Sequence, residues 1–199
     1  MSEDKIQIVA FSTNEKEQNP NDIINTFLEQ QNHAILKKTR IAIAFSTNLE
    51  TKKSKLSKVM ICSILNLERD YSGITDVNCY IVFVDLENEA SKEKFDSIIS
   101  YMKDYCDLSK NIFIFGMINA NKKKENNNSK INKKDEIMEV LKNSELNYEF
   151  KDLDLSNANE IHNEIMNVLV YCSENVENVV FEKREENFEI TKSISCNII

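Results

Sequence analysis

The sequence predicts an α/β fold built as one domain around a mostly parallel sheet. Short apolar, β-rich segments alternate along the chain with segments whose apolar residues recur at helical spacing. The 199 residues are 41% hydrophobic and 29% charged, which is enough apolar content to bury the core of a domain of this length.

Six segments are predicted as strands because they are short and rich in apolar, β-branched and aromatic residues. Residues 78–86 (NCYIVFVDL) are the most hydrophobic of them and are predicted to be central. Residues 40–45 and 58–65 flank a polar, Lys-rich stretch and are predicted to pair as a hairpin. In chain order the predicted strands are 5–11, 40–45, 58–65, 78–86, 111–118 and 148–155.

Four segments are predicted as helices from apolar residues spaced three and four apart. The first, 22–31, places Ile23, Ile24, Phe27 and Leu28 on one face, and Pro20 lies near its start, as helix-initiating prolines do. The other three are 91–105, 135–141 and 158–171, and a short apolar run follows at 176–181.

Two segments are predicted to lie outside the packed domain. Residues 121–135 (NKKKENNNSKINKKD) are polar and of low complexity, which predicts a disordered insertion. The domain is therefore expected to span 1–184 with this insertion inside it, followed by a flexible tail at 185–199.

Composition excludes several kinds of function. The net charge of −8 argues against direct nucleic-acid binding, and no window approaches 18 apolar residues, so no membrane span is expected. Five scattered cysteines without Cys-x-x-Cys spacing predict reduced thiols in the cytosol or nucleus. His33 and His162 have no cysteine pair nearby, so no metal site is predicted, and His162 is interpreted as a solvated or boundary residue.

Glycine scarcity excludes the common phosphate-binding loops. Only Gly73 and Gly116 occur, whereas Walker A and Gly-x-Gly-x-x-Gly loops need several glycines close together so that the backbone can approach the anion. No catalytic residue and no cofactor are predicted from the sequence.

A few side chains have two interpretations that the sequence leaves open. Asp85 ends the central strand, where it either binds a ligand or makes a turn. The Lys-rich stretches 52–58 and 122–134 are either solvated or, for the first, a hairpin tip that docks an acidic partner. Tyr71, Tyr101 and Phe188 lie in polar contexts and are candidate interface anchors, with core packing favoured for Tyr101.

The element order and strand sequences resemble a Ras-like small GTPase domain over residues 5–175. KIQIVAF (5–11) resembles the first strand of that family, and RIAIAF (40–45) with KVMICSIL (58–65) resembles its antiparallel pair. Residues 77–102 resemble its fourth strand, which ends in Asp, and the following helix, while KNIFIFGMINAN (110–121) resembles its guanine-reading strand and loop. The resemblance implies a three-layer domain with helices on both faces and one antiparallel hairpin strand.

The nucleotide-binding motifs of that family do not carry over. Ser12–Gln18 stands where the Gly-rich loop would be and contains no glycine, and in Asn121-Lys122-Lys123-Lys124 the last lysine replaces the guanine-binding aspartate. Asp70 and Gly73 match only the short Asp-x-x-Gly motif. The resemblance therefore implies a pseudo-GTPase, a retained fold without GTP hydrolysis that acts through its surface.

Two families of pseudo-GTPases are similar to parts of the chain. IVFVDL (81–86) and IMNVLVYCSENVENVV (165–180) resemble the centromere protein M family, which implies a nuclear inner-kinetochore scaffold that contacts centromere H, I and K subunits. LETKKSKLSKVMIC (49–62) and ENVVF (177–181) resemble the alpha/gamma-adaptin-binding family, which implies a cytoplasmic partner of clathrin adaptor subunits in vesicle traffic.

The last four residues have the form of a prenylation signal. Cys196-Asn197-Ile198-Ile199 resembles a CaaX box, although Asn197 is not aliphatic and no polybasic flank supplies a second membrane signal. Cys196 is thus a candidate lipidation site for a weak lipid anchor, which would fit a divergent Ras- or Rab-like GTPase; the alternative is a tail cysteine by chance.

Overall fold

A computed structural model describes residues 4–14, 20–29, 34–38, 42–49, 57–64, 67, 76–119 and 127–175. The strands are β1 (Asp4–Ser12), β2 (Ala34–Lys38), β3 (Ala42–Leu49), β4 (Ser57–Ile64), β5 (Cys79–Asp85), β6 (Asn111–Ile118) and β7 (Tyr148–Asp154). The helices are α1 (Pro20–Glu29), α2 (Ser91–Tyr105), α3 (Asn127–Lys142) and α4 (Ala158–Asn175).

The strands form one sheet in the order β2-β3-β4-β1-β5-β6-β7. Strands β4, β1, β5, β6 and β7 are all parallel to one another. This confirms the predicted α/β class and its mostly parallel sheet.

The antiparallel part of the sheet differs in detail from the prediction. It contains two antiparallel pairings, β3 with β4 and β2 with β3, so β3 runs opposite to both of its neighbours and β2 runs in the same direction as β4. The prediction of a single hairpin strand was wrong because it left out β2, whose sequence AILKK is too short and too basic to produce a strand pattern. Strand β3 also continues through the polar residues 46–49, because β4 supplies backbone partners as far as Leu49↔Ser57.

Helices cover both faces of the sheet, as expected. Alternate residues of each buried strand point to opposite faces, so that Ile81 and Phe83 of β5 pack with α1 and α4. Tyr80, Val82 and Val84 of the same strand pack with α2 and α3. Strand β5 is buried from Cys79 to Val84, in agreement with its predicted central place.

The segment predicted as a disordered insertion is helical from residue 127 onward, so that prediction was wrong for 127–135, while 121–126 lie outside the described residues. Helix α3 is anchored by Ile137 and Leu141, both 1% exposed, and can extend from them towards its N-terminus. Lys134 contributes to this extension: its Nζ lies 2.7 Å from Asp152 Oδ2 and 5.2 Å from the centre of the Phe150 ring. Low complexity therefore concealed a helix in which the Lys134 side chain contacts β7.

We predict that Gly116→Ala in β6 destabilises the protein by about 1 kcal/mol. A Cβ atom at Gly116 would lie 2.7 Å from Phe150 Cζ and 2.9 Å from Leu86 Cδ1, closer than carbon atoms pack. Overpacking of this kind costs roughly 1–3 kcal/mol, and replacing a strand glycine returns about 0.5–1 kcal/mol. Urea unfolding measures the difference.

The matched control is the double variant Gly116→Ala/Phe150→Leu. Leucine at 150 shortens the side chain that the new methyl group meets. We therefore expect the double variant to lose less stability than the sum of the losses measured for Gly116→Ala and Phe150→Leu separately. A Gly116→Ala protein as stable as wild type would contradict the packing argument.

Candidate functional site

The candidate site lies at the carboxyl ends of β1 and β5. These strands are parallel neighbours, yet the chain leaves β1 towards α1 on one face and leaves β5 towards α2 on the other. In open α/β sheets such a change of direction leaves a crevice outside the strand ends, and ligands bind there.

Thr13 closes the β1 side of this crevice. Its backbone N–H donates to Phe83 O at 3.0 Å, and its hydroxyl oxygen accepts the N–H of Asp85 at 2.9 Å. The Thr13 side chain is fully buried. Thr13 therefore continues the contact between β1 and β5 past their last paired residues, Ser12 and Phe83, through its backbone N–H and its hydroxyl.

Ser91, the first residue of α2, completes the same network. Its hydroxyl donates to Asp85 O at 2.5 Å, and its oxygen lies 3.2 Å from Thr13 Oγ1. Because the single Ser91 proton goes to Asp85, the Thr13 hydroxyl is the donor in the contact with Ser91. Each hydroxyl proton thus has one acceptor, and the start of α2 is held against the end of β1.

Asp85 uses both carboxylate oxygens within the structure. Asn14 Nδ2 donates to Asp85 Oδ2 at 2.9 Å, and the N–H of Glu87 donates to Asp85 Oδ1 at 2.8 Å. Of the two interpretations of Asp85, the geometry is therefore that of a turn, with an added bond across the crevice to Asn14. Sequence reasoning singled out Asp85 but not its partners Thr13, Asn14 and Ser91, whose short polar side chains after a strand are ordinary turn residues.

The edge of the crevice carries carboxylates, and its backbone N–H groups already donate hydrogen bonds within the protein. Glu87 Oε1 accepts the N–H of Asn119 at 3.2 Å, which places a second carboxylate beside Asp85. The N–H of Asn14 donates to Ser12 Oγ at 3.1 Å. The side chains of Thr13 and Asn14 cover the strand ends, whereas residues 15–18 lie outside the described residues.

His162 stands apart from this edge, on α4. Its ring stacks on Phe27 of α1, with 5.2 Å between the ring centres. It is half-buried and its Nδ1 has no hydrogen-bond partner among the described residues, which agrees with a boundary position between two helices. His33 lies outside the described residues, and no group of three or more His, Cys, Asp or Glu in the described ranges is placed to hold a metal.

The cysteines fall on two sides of the sheet. Cys79 and Cys172 meet in the core on the α4 face, a pairing that their separation in sequence concealed. Cys62 and Cys106 belong to the α2 face, where burial raises the pKa of each thiol to about 11. All four are free thiols, as predicted.

The remaining candidates divide between core positions and undescribed segments. Tyr101 is 7% exposed and packs edge-on against Phe11, which confirms its core role. Within the described part of the chain, no helix combines the length and the apolar character that crossing a bilayer requires. The other candidates lie outside the described residues: 52–56, Asp70, Tyr71, Gly73, Asn121, Lys122, Lys124, Phe188 and Cys196.

A comparison of the sequence with protein-family models and with curated proteins finds no match.

Proposed function

We propose that the chain is a non-catalytic, small-GTPase-like scaffold that binds other proteins without nucleotide, and that its place is the inner kinetochore. The observation that carries the non-catalytic part is the closed network of Thr13, Asn14, Asp85 and Ser91 at the strand ends.

A phosphate group would find poor partners at this edge. Phosphate-binding loops present free backbone N–H groups, often at a helix N-terminus. Here the N–H groups of Thr13 and Asn14 donate to Phe83 O and Ser12 Oγ. The carboxylates of Asp85 and Glu87 add negative charge at the same place, which repels an anion.

The order of elements supports the small-GTPase-like part of the proposal. The pair β3–β4 is antiparallel and lies next to β1, in the chain region that resembles the antiparallel pair of that family. Strand β5 ends in Asp85 and is followed by α2, and β6 follows in turn, where the resemblance places the guanine-reading strand.

The kinetochore part depends on the resemblance of residues 165–180 to the centromere protein M family. Within the described portion of that segment, α4 exposes Val170 (39%) and Tyr171 (36%). Beside them a groove of about 230 Å³ opens between α4 and strands β6 and β7. Tyrosine is enriched among the anchors of protein interfaces, so we take this outer face of α4 as the contact surface.

Mild-lysis affinity purification of the tagged chain, followed by mass spectrometry, tests the proposal. We expect centromere H, I and K subunits, and we expect Val170→Asp to reduce their recovery at least tenfold. Ser100→Asp adds the same charge at an exposed position of α2, on the other side of the sheet, and should leave recovery unchanged. Circular dichroism checks that both variants fold.

Other outcomes would overturn the proposal in separate parts. Recovery of clathrin adaptor subunits, or of prenyl-binding factors, would contradict the kinetochore assignment but not the proposal that the chain is a protein-binding scaffold. Guanine nucleotide released from the denatured protein, measured by chromatography, would contradict the nucleotide-free part.

A further inference from the structure

Two cysteines that are 93 residues apart bring their sulfur atoms to 3.1 Å. Cys79 is the first residue of β5, and Cys172 lies in the last turn of α4. Both are core residues, at 0% and 2% exposure. We propose that Cys79 and Cys172 form an oxidation site, at which a peroxide converts the two thiols into an intrachain disulfide that ties α4 to the sheet.

The geometry needs only a small adjustment. A disulfide joins sulfur atoms at about 2.05 Å, so the two atoms must approach by about 1 Å. Cys79 begins its strand and Cys172 lies three residues from the end of α4, so both side chains are carried by element ends. Element ends adapt with less loss of packing than their centres do.

The sheet makes the pairing selective. Cys79 and Cys172 belong to the core between the sheet and the α1–α4 layer. Cys62 belongs to the core on the other face, and Cys106 packs against that core. Neither can reach Cys79 or Cys172 while the sheet is intact, so among the four described thiols Cys79 and Cys172 can pair only with each other.

The chemistry balances with a peroxide as the oxidant. The Cys172 thiolate attacks one peroxide oxygen, the O–O bond breaks, and a sulfenic acid forms as hydroxide leaves and takes up a proton. Cys79 then attacks the Cys172 sulfur, the S–S bond forms, and the S–O bond breaks to release water. In sum, two thiols and one hydrogen peroxide give one disulfide and two waters.

Cys172 is the cysteine that meets the oxidant first. Opening of the last turn of α4 exposes it, whereas Cys79 lies in the central sheet with no exposed surface. Burial, with the neighbouring Cys172, raises the pKa of the Cys79 thiol, which keeps that thiol protonated while the helix end is closed. Oxidation is therefore slow in the closed state, and the bond, once formed, holds the opening segment shut.

The test treats the reduced full-length protein with hydrogen peroxide, blocks the remaining thiols with N-ethylmaleimide and maps peptides without reduction. We expect one cross-linked species that joins the peptides containing Cys79 and Cys172 and is two hydrogens lighter than their sum. The bond closes a long loop, so the melting temperature should rise by roughly 5–10 °C and return with dithiothreitol.

Matched variants separate the pair from the other cysteines. The double variant Cys62→Ala/Cys106→Ala should keep both the cross-link and the shift in melting temperature, while Cys172→Ala should lose both. The wild-type peptide map decides the matter by itself should a core variant not fold. Free Cys79 and Cys172 after treatment, sulfinic acid at Cys172 without a cross-link, or a cross-link to Cys62, Cys106 or Cys196 would each overturn the proposal.

Discussion

Truncation of Phe83 to alanine should lower the free energy of unfolding by about 4 kcal/mol. Phe83 is fully buried in the central strand β5, and its ring stacks on that of Phe115 with 5.8 Å between the centres. Phe→Ala changes in cores cost roughly 3–5 kcal/mol, because the lost transfer energy adds to the cost of the cavity. Domains of this kind are stable by only about 5–15 kcal/mol, so the variant should unfold at much lower urea.

Two further variants make this result interpretable. Phe83→Leu keeps most of the volume and should lose less than about 1.5 kcal/mol, which keeps the measurement possible should the alanine variant not fold. Asp96→Ala, at an exposed position of α2, should change stability by less than about 0.5 kcal/mol. Equal losses for Phe83→Ala and Asp96→Ala would contradict the central, fully packed position of this ring.

Replacement of Thr13 by valine should cost about 2 kcal/mol although the two side chains have nearly the same shape. The change removes the acceptor of the Asp85 N–H and the donor to Ser91 Oγ, both inside the buried network. An unsatisfied buried polar group costs roughly 1–3 kcal/mol, because it loses water without gaining a partner. Urea unfolding with two-state analysis gives the difference.

Thr26→Val is the matched control. The Thr26 hydroxyl donates at 2.9 Å to Asp22 O of its own helix, at an exposed site where water replaces the lost bond. We expect less than about 0.5 kcal/mol for this variant. Similar small losses for both variants would mean that the hydroxyl of Thr13 does not hold the strand ends together.

The elements that could be predicted were those in which the local sequence pattern indicates which residues are buried. Residues 111–118 and 91–105 were predicted with the observed bounds of β6 and α2. A strand buried on both faces reads as a continuous apolar run, and an amphipathic helix shows its buried face every three to four residues. Strand β2 and residues 127–134 of α3 show no such pattern. Strand β2 pairs through its backbone with β3, and Lys134 contacts Asp152 and Phe150 of β7.

The candidate site shows the same division. Sequence alone identified Asp85 at the end of the central strand and excluded a glycine-rich phosphate loop. It could not show that Thr13, Asn14 and Ser91 would satisfy that aspartate, because a threonine after a strand is equally suited to solvent. The bonds of Thr13 and Asn14 span 71 to 78 residues and depend on β1 and β5 becoming neighbours.

The sequence by itself determined the fold class, the central strand and the absence of a glycine-rich phosphate loop, because composition and periodicity are local properties of the chain. Only the tertiary structure decided the antiparallel strand β2, the closure of the strand ends and the meeting of Cys79 with Cys172. These features depend on which distant segments the sheet order brings together. Strand pairing satisfies backbone hydrogen-bonding groups, which are the same for almost every side chain. The amino-acid pattern therefore says little about the order of the strands in the sheet.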